Sequence, residues 1–269
     1  LKVSRSQVST AAAPALARPA MPPLARLRAL LAQDPDGTAA VLNLHRFMLS
    51  FPDPLQEQGF LQSRLRKLRA SAFLSAVVGI VVIAILLAMA ILVNERLERG
   101  ASPTDAAFDL AKVHVISVGG IGCIFLMLAA GARARCLGTV ALEWFTVTAM
   151  ILAMCTGVLS RNWYACKMTG QEPNDIWRGA RQHTDSSLLL SIDFIVTATH
   201  LVLPIRWIVL LPIEVVGIGL YAACVAMGSP EYSAVPNLVL LVGLTTMAGI
   251  GKRAMEVNER SHFAQVARE

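Results

Sequence analysis

The sequence predicts an all-α polytopic membrane protein, a bundle of six transmembrane helices with a cytoplasmic helix at each end. Three observations predict it. Hydrophobic residues make up 55% of the chain and charged ones only 16%, against about 25% charged in an ordinary soluble domain. Six apolar runs have about the twenty residues that a helix rising 1.5 Å per residue needs to cross a hydrocarbon core of roughly 30 Å. Lys and Arg gather on alternate connections, as they do in inward-facing loops.

Residues 1–50 read as a mostly disordered segment. Up to about residue 25 it is rich in Ala, Pro and Arg and lacks the continuous apolar core of a signal peptide. Leu1 is not an initiator methionine, so the chain is expected to be processed or cut from something longer. Residues 51–70 predict a juxtamembrane amphipathic helix. Asp53 is its cap and Pro54 its first helical position. Leu55, Phe60, Leu61, Leu65 and Leu68 form an apolar stripe against Arg64, Arg66, Lys67 and Arg69. Such a helix suits an anionic inner leaflet before the chain turns into the membrane. A plain topology signal explains the basic residues equally well.

The bundle occupies residues 71–251, with spans at 71–93, 113–132, 137–159, 186–203, 207–227 and 234–250. Arg64, Arg66, Lys67 and Arg69 precede the first span, and Arg133 and Arg135 fill the second connection. Arg206 lies in the fourth connection, and Lys252 and Arg253 follow the last span. All are placed in the cytoplasm, so both termini are expected there. The opposing connections dilute their basic residues with Glu95, Glu98, Asp105, Asp109, Glu172, Asp175 and Asp185, and residues 228–235 carry no Lys or Arg. In the long third connection, Trp163, Tyr164 and Trp177 fit an interfacial aromatic belt better than a ligand cage.

Lipid gives helices no hydrophobic reason to associate, so small residues are expected at their contacts. Ser71, Ser75 and Gly79 form one ridge, Gly119 and Gly122 lie in the second span, and Gly219 with Ala223 in the fifth. These glycines read as helix packing rather than a phosphate loop, which needs a strand before it. The five cysteines are scattered, with no C-x-x-C and no histidine at metal spacing, so neither a disulfide framework, a zinc site nor a cofactor is expected. The net charge of +6 has a topological cause and does not call for nucleic acid.

Ionisable residues within spans are functional candidates by default. Glu143, Asp193, His200 and Glu214 stand out, and Asp193, Thr197 and His200 share one helix face at i, i+4 and i+7. Measured from the Pro204-Ile205-Arg206 turn, His200 lies roughly 5 Å deep, Glu214 about 10 Å and Asp193 about 15 Å. One reading is a pH- or ligand-sensitive switch; the other is a hydrogen-bonded cluster that fixes helix packing. Arginine repeats of a voltage sensor, a TVGYG-like filter and the H-E-x-x-H, P-loop and G-x-S-x-G motifs do not occur. No catalytic residue is visible.

Residues 252–269 predict a polar helix continuous with the sixth span, with no stop signal behind it. Glu256 and Arg260 make an i, i+4 pair. Met255, Glu259, His262 and Val266, with Phe263 beside them, repeat like a coiled-coil seam. The seam admits a homodimer; a solvated helix without a partner is the alternative.

FPDPLQEQGF at residues 51–60 has an F-x-D-P-x-x-E-x-x-F pattern, and KRAMEVNERSHF at 252–263 a K-R-x-x-E-x-x-E-R-x-x-F pattern. With six short-looped spans between them, the chain resembles the N-terminal membrane anchor of multi-pass class III nucleotide cyclases and related protist signalling proteins. Gln56 and Gly59 stand where more regular helix formers are expected. The resemblance covers residues 50–269 and implies a module that couples through a signalling helix to a cytoplasmic effector, often as a dimer. No effector residues lie within it. A second expectation, from another class, is a small-solute or proton transporter using Glu143, Asp193, His200 and Glu214.

Overall fold

The chain turns helical at Asp53. Its Oδ1 accepts the Leu55 N–H at 3.0 Å and its carbonyl that of Glu57, while Pro54 fills the position where a missing N–H costs nothing. The computed structural model describes residues 48–98, 105–159, 161–170, 172, 185–230 and 232–267. Residues 1–47, and with them most of the expected disordered segment, lie outside the described residues, as does Trp177.

Helix α1 spans Pro54–Glu98. It is followed by α2 (Asp105–Arg133), α3 (Thr139–Leu159), the short α4 (Asn162–Met168), α5 (Ser186–Val202), α6 (Trp207–Ala226) and α7 (Ala234–Val266). Among the described residues all regular structure is helical. α1, α2, α3, α6 and α7 are long and apolar enough to cross a membrane, and α5 is an apolar helix of 17 residues. These are the lengths and compositions of an integral membrane protein.

The amphipathic segment does not lie apart from the first span. α1 runs through both without a break, because past Pro54 it holds no proline, and Gly59 and Gly79 alone do not force a kink. Of the expected apolar stripe, Phe60 and Leu68 are buried, Leu61 and Leu65 are half-buried and Leu55 is exposed. α7 likewise continues past the apolar run for about four further turns.

One core joins the bundle. Leu68, Ala72 and Ala76 of α1 bury one face against Leu128 of α2, and Leu142, Met150 and Met154 of α3 meet Ile192, Ile213 and Leu241 from α5, α6 and α7. Large apolar side chains also cover the outside, among them Val81, Ile85, Ile116, Phe194, Leu240 and Met247. A soluble protein rarely exposes so much contiguous apolar surface, whereas a lipid solvent favours it.

The small residues pack partly as expected. A Cβ on Gly79 would lie 2.7 Å from the Phe125 ring, and one on Gly122 3.3 Å from Ile83. Ser71 and Ser75, however, flank the contact, and Ala72 and Ala76 fill it. Gly119 and Gly219 face open space, and Ala223 is exposed. On α6 the close approach belongs to Gly217, whose Cβ would stand 3.1 Å from Ile192. Spacing alone fixes a ridge's period but not its rotation about the helix axis, and a two-residue shift turns a ridge by about 160°.

The aromatic belt needs correction at Tyr164. It is fully enclosed, and its hydroxyl donates to Asp185 at 2.6 Å. Burial and the adjacent Asp185 carboxylate push that phenol well above its ordinary range. Half-buried Trp163 donates its indole N–H to the Gly228 carbonyl at 2.9 Å.

Candidate functional site

Polar groups gather at the end of the bundle where α1 begins and α7 finishes. Lys252, Glu256 and Arg260 recur every fourth residue on α7 and therefore form one stripe, all three buried. Lys252 Nζ donates to the Leu203 carbonyl at 2.5 Å, at the C-terminal cap of α5. Glu256 Oε2 accepts the Trp207 N–H at 2.8 Å, at the first residue of α6. The cation thus meets the negative end of one helix dipole and the carboxylate the positive end of the next. The stripe reads both sides of the tight α5–α6 turn.

Glu143, near the start of α3, grips the same turn. Its Oε2 accepts from Arg206 Nε at 2.8 Å and its Oε1 from the Arg206 N–H at 3.2 Å. Two carboxylates from two helices therefore satisfy the N–H groups at the start of α6, which has no side-chain cap of its own.

Arg260 carries the stripe across to α1. Its Nη1 and Nη2 donate to Glu57 at 2.6 and 3.1 Å, and its Nε donates to Glu256 Oε1 at 3.0 Å. The guanidinium is completely enclosed and lies over the Phe60 ring, 4.3 Å from its centroid, and 5.3 Å from that of Phe51. Phe51, Phe60 and Phe263 close an aromatic cluster with centroids 5.5 to 6.1 Å apart. Glu57 also accepts the Phe51 N–H at 3.0 Å. Burial raises the affinity of Glu57 for a proton, but its bonds to Arg260 and Phe51 and the Arg260 charge outweigh this and hold its carboxyl below the ordinary range.

The two motifs singled out in the sequence are thus each other's partners. Gly59, which departs from a regular helix pattern, faces Phe263, with which a Cβ would make an ordinary contact at 3.5 Å.

The comparisons add no relative. No protein-family model, curated protein or solved structure matches this chain.

The expected intramembrane cluster divides into separate pairs. His200 Nε2 lies 2.8 Å from Glu214 Oε1, and Nδ1 lies 2.7 Å from the Val196 carbonyl. A carbonyl only accepts, so Nδ1 carries a hydrogen, and the Nε2 to Oε1 contact needs a further one. Glu214 also lies against Gly249 of α7, where a Cβ would stand 2.8 Å from Oε1. Asp193 instead accepts from Thr197 on its own helix at 3.3 Å. Glu143 belongs to the α5–α6 turn.

The expected seam is divided as well. Glu259 pairs with Arg64 at 3.1 Å and reaches Lys67 at 3.8 Å. Phe263 packs within the chain, while Met255, His262 and Val266 are exposed. The buried stripe is rotated by about 90° from the expected seam. Apolar spacing pointed to Met255 and Val266, but the face that packs is charged and finds its partners in distant segments.

At the opposite end, Asp185 accepts from Tyr164 and Ser229, and Arg161 donates to Ser187 and Ser191. Spacing did not single out this cluster, because its members come from separate connections. Among the described residues no three His, Cys, Asp or Glu side chains gather as a metal site.

Proposed function

We propose that the chain is a six-span membrane module with both termini in the cytoplasm, which anchors a cytoplasmic signalling domain and relays rearrangements of its spans through α7. One observation carries the reading: α7 is a continuous rod whose Lys252, Glu256 and Arg260 touch the end of α5, the start of α6 and the start of α1. A shift of the α5–α6 hairpin must break or move these bonds, so it is transmitted to the helix that leaves the membrane. The pairing of the motifs at 51–60 and 252–263 supports the likeness to cyclase membrane anchors. α5, at 17 residues, is at the short limit for a span. Its packing against α3, α6 and α7 supports counting it as the sixth.

Two measurements test this reading. Native Cys136, exposed in the α2–α3 turn, should react with a membrane-impermeant thiol reagent from the cytoplasmic side only. A glycosylation sequon inserted beside exposed Tyr232 should be modified from the other side; the reverse pattern refutes the topology. The coding sequence downstream of Glu269 should continue in frame into a signalling domain, and an immediate stop codon would refute the anchor role. No specific observation favours transport, since Glu143, Asp193 and Glu214 engage separate partners.

A further inference from the structure

Beside the Arg260 junction, α1 and α7 meet a second time with charges that do not balance. Arg64 is only 7% exposed, its Nη2 contacts Glu259 at 3.1 Å and its guanidinium lies 5.1 Å from the Phe60 ring centroid, yet its Nε and Nη1 have no hydrogen-bond partner among the described residues. Buried guanidinium N–H groups are normally satisfied, and each exception calls for an account. Lys67, largely exposed, reaches the same Glu259 at 3.8 Å. Lys252 is close enough that the Arg64 and Lys67 charges add to burial in pushing its ammonium down to about 8. The neighbouring carboxylates are engaged elsewhere, Glu256 by Arg260 and Trp207, and Glu143 by Arg206. Two cations therefore share one carboxylate, with the Lys252 charge adding to theirs nearby.

Depth indicates which anion these donors suit. Arg64 and Lys67 stand one to two turns before the first apolar run, and Lys252 directly follows the last one. Under the proposed topology, on which this inference rests, that is the headgroup level of the inner leaflet, which is rich in anionic lipid. A phosphate offers several acceptor oxygens to guanidinium and ammonium donors where Glu259 offers two.

We propose that the α1–α7 junction is a binding site for the phosphate of an anionic membrane lipid, held by Arg64 and Lys67 in competition with Glu259. Exposed Lys67 admits the headgroup; its phosphate replaces the Glu259 carboxylate on Arg64 and fills the donors left open. Glu259 is then released from α1, which couples lipid binding to the attachment of the exit helix.

The test uses the full chain in nanodiscs of phosphatidylcholine alone or with phosphatidylserine or a phosphoinositide, scored by lipid retained on transfer to detergent and native mass spectrometry. Anionic lipid should be retained over phosphatidylcholine. Lys67→Gln, at an exposed position, should lower retention about fivefold, and Arg64→Gln with Lys67→Gln on the order of twentyfold. Glu259→Gln, which removes the competitor, should raise retention. Equal loss in an Arg133→Gln, Arg135→Gln control would show diffuse attraction and overturn the site, as would retention unchanged in Lys67→Gln and Glu259→Gln. Soluble glycerol phosphate binding as tightly as lipid would overturn the assignment to a membrane lipid. Symmetric nanodiscs do not depend on orientation or on any downstream domain, so failure here leaves the relay reading standing.

Discussion

Replacing Arg260 by Ala gives the most direct measure of the clasp between α1 and α7. The guanidinium is fully enclosed, Glu256 is 1% exposed and the Glu57 side chain 16%. Removing it leaves two carboxylates without their main cation, and breaking a buried pair in this way costs about 3–5 kcal/mol. Loss of the stacking over Phe60 acts in the same direction. Among the described residues neither carboxylate forms an ion pair with another cation. The cost should fall on local opening of α7 beyond the membrane, because the intramembrane core of Leu68, Leu142, Ile213 and Leu241 does not involve Arg260. Amide hydrogen exchange of residues 252–266, followed in nanodiscs, should accelerate by about two to three and a half powers of ten, with little change in the spans. Arg260→Lys should recover little, since one ammonium cannot reproduce the forked bonds to Glu57 and Glu256. Acceleration below about threefold, or equal acceleration throughout the bundle, would refute the clasp.

The carboxyl of Glu57, held below its ordinary value of 4.5, stabilises the clasp above that pH, and the contribution disappears as pH falls through the lower folded value. Spin labels at exposed positions 55 and 255, with exposed Cys123 and Cys136 replaced by Ser, should separate as pH falls through that lowered value; the same distance at low and neutral pH would contradict it. Lys252 has the opposite linkage: burial and Arg64 lower it from 10.5 to about 8, so the unfolded chain binds more protons between those values and stability rises with pH across that window. Lys252→Met should flatten the rise in thermal unfolding midpoint, and an unchanged slope would exclude Lys252 as its source. Gly249→Ala, with its Cβ 2.8 Å from the Glu214 carboxylate, should disturb the His200–Glu214 pair and cost about 1–3 kcal/mol. Gly59→Ala meets only an ordinary contact with Phe263 and should stabilise by about 0.5–1 kcal/mol. The two substitutions moving the melting temperature the same way would remove this distinction.

Much of the helical layout was legible without tertiary information, because apolar length is a local property. The expected limits at 186–203 and 207–227 differ from α5 and α6 by a single residue at one end. Asp53 and Pro54 marked the start of α1 for an equally local reason. The intramembrane candidates were legible as residue types but not as a constellation. His200 and Glu214 meet across the α5–α6 turn, as adjacency of the two segments implied, yet Asp193 turns to Thr197 and Glu143 to Arg206.

By itself the sequence determined the helices, their apolar outer surface and the two polar segments flanking them, since each follows from composition and periodicity along one stretch of chain. Only the tertiary structure decided what those segments do to one another. The Glu57–Arg260 contact joins residues separated by 203 positions, and no periodicity within α1 or α7 encodes it. The outcome depends on how each helix is rotated about its axis. That rotation is set by steric contacts such as Phe125 on Gly79 and Ile192 on Gly217, and by carboxylates that find buried cations and unfilled helix ends only once the bundle has assembled.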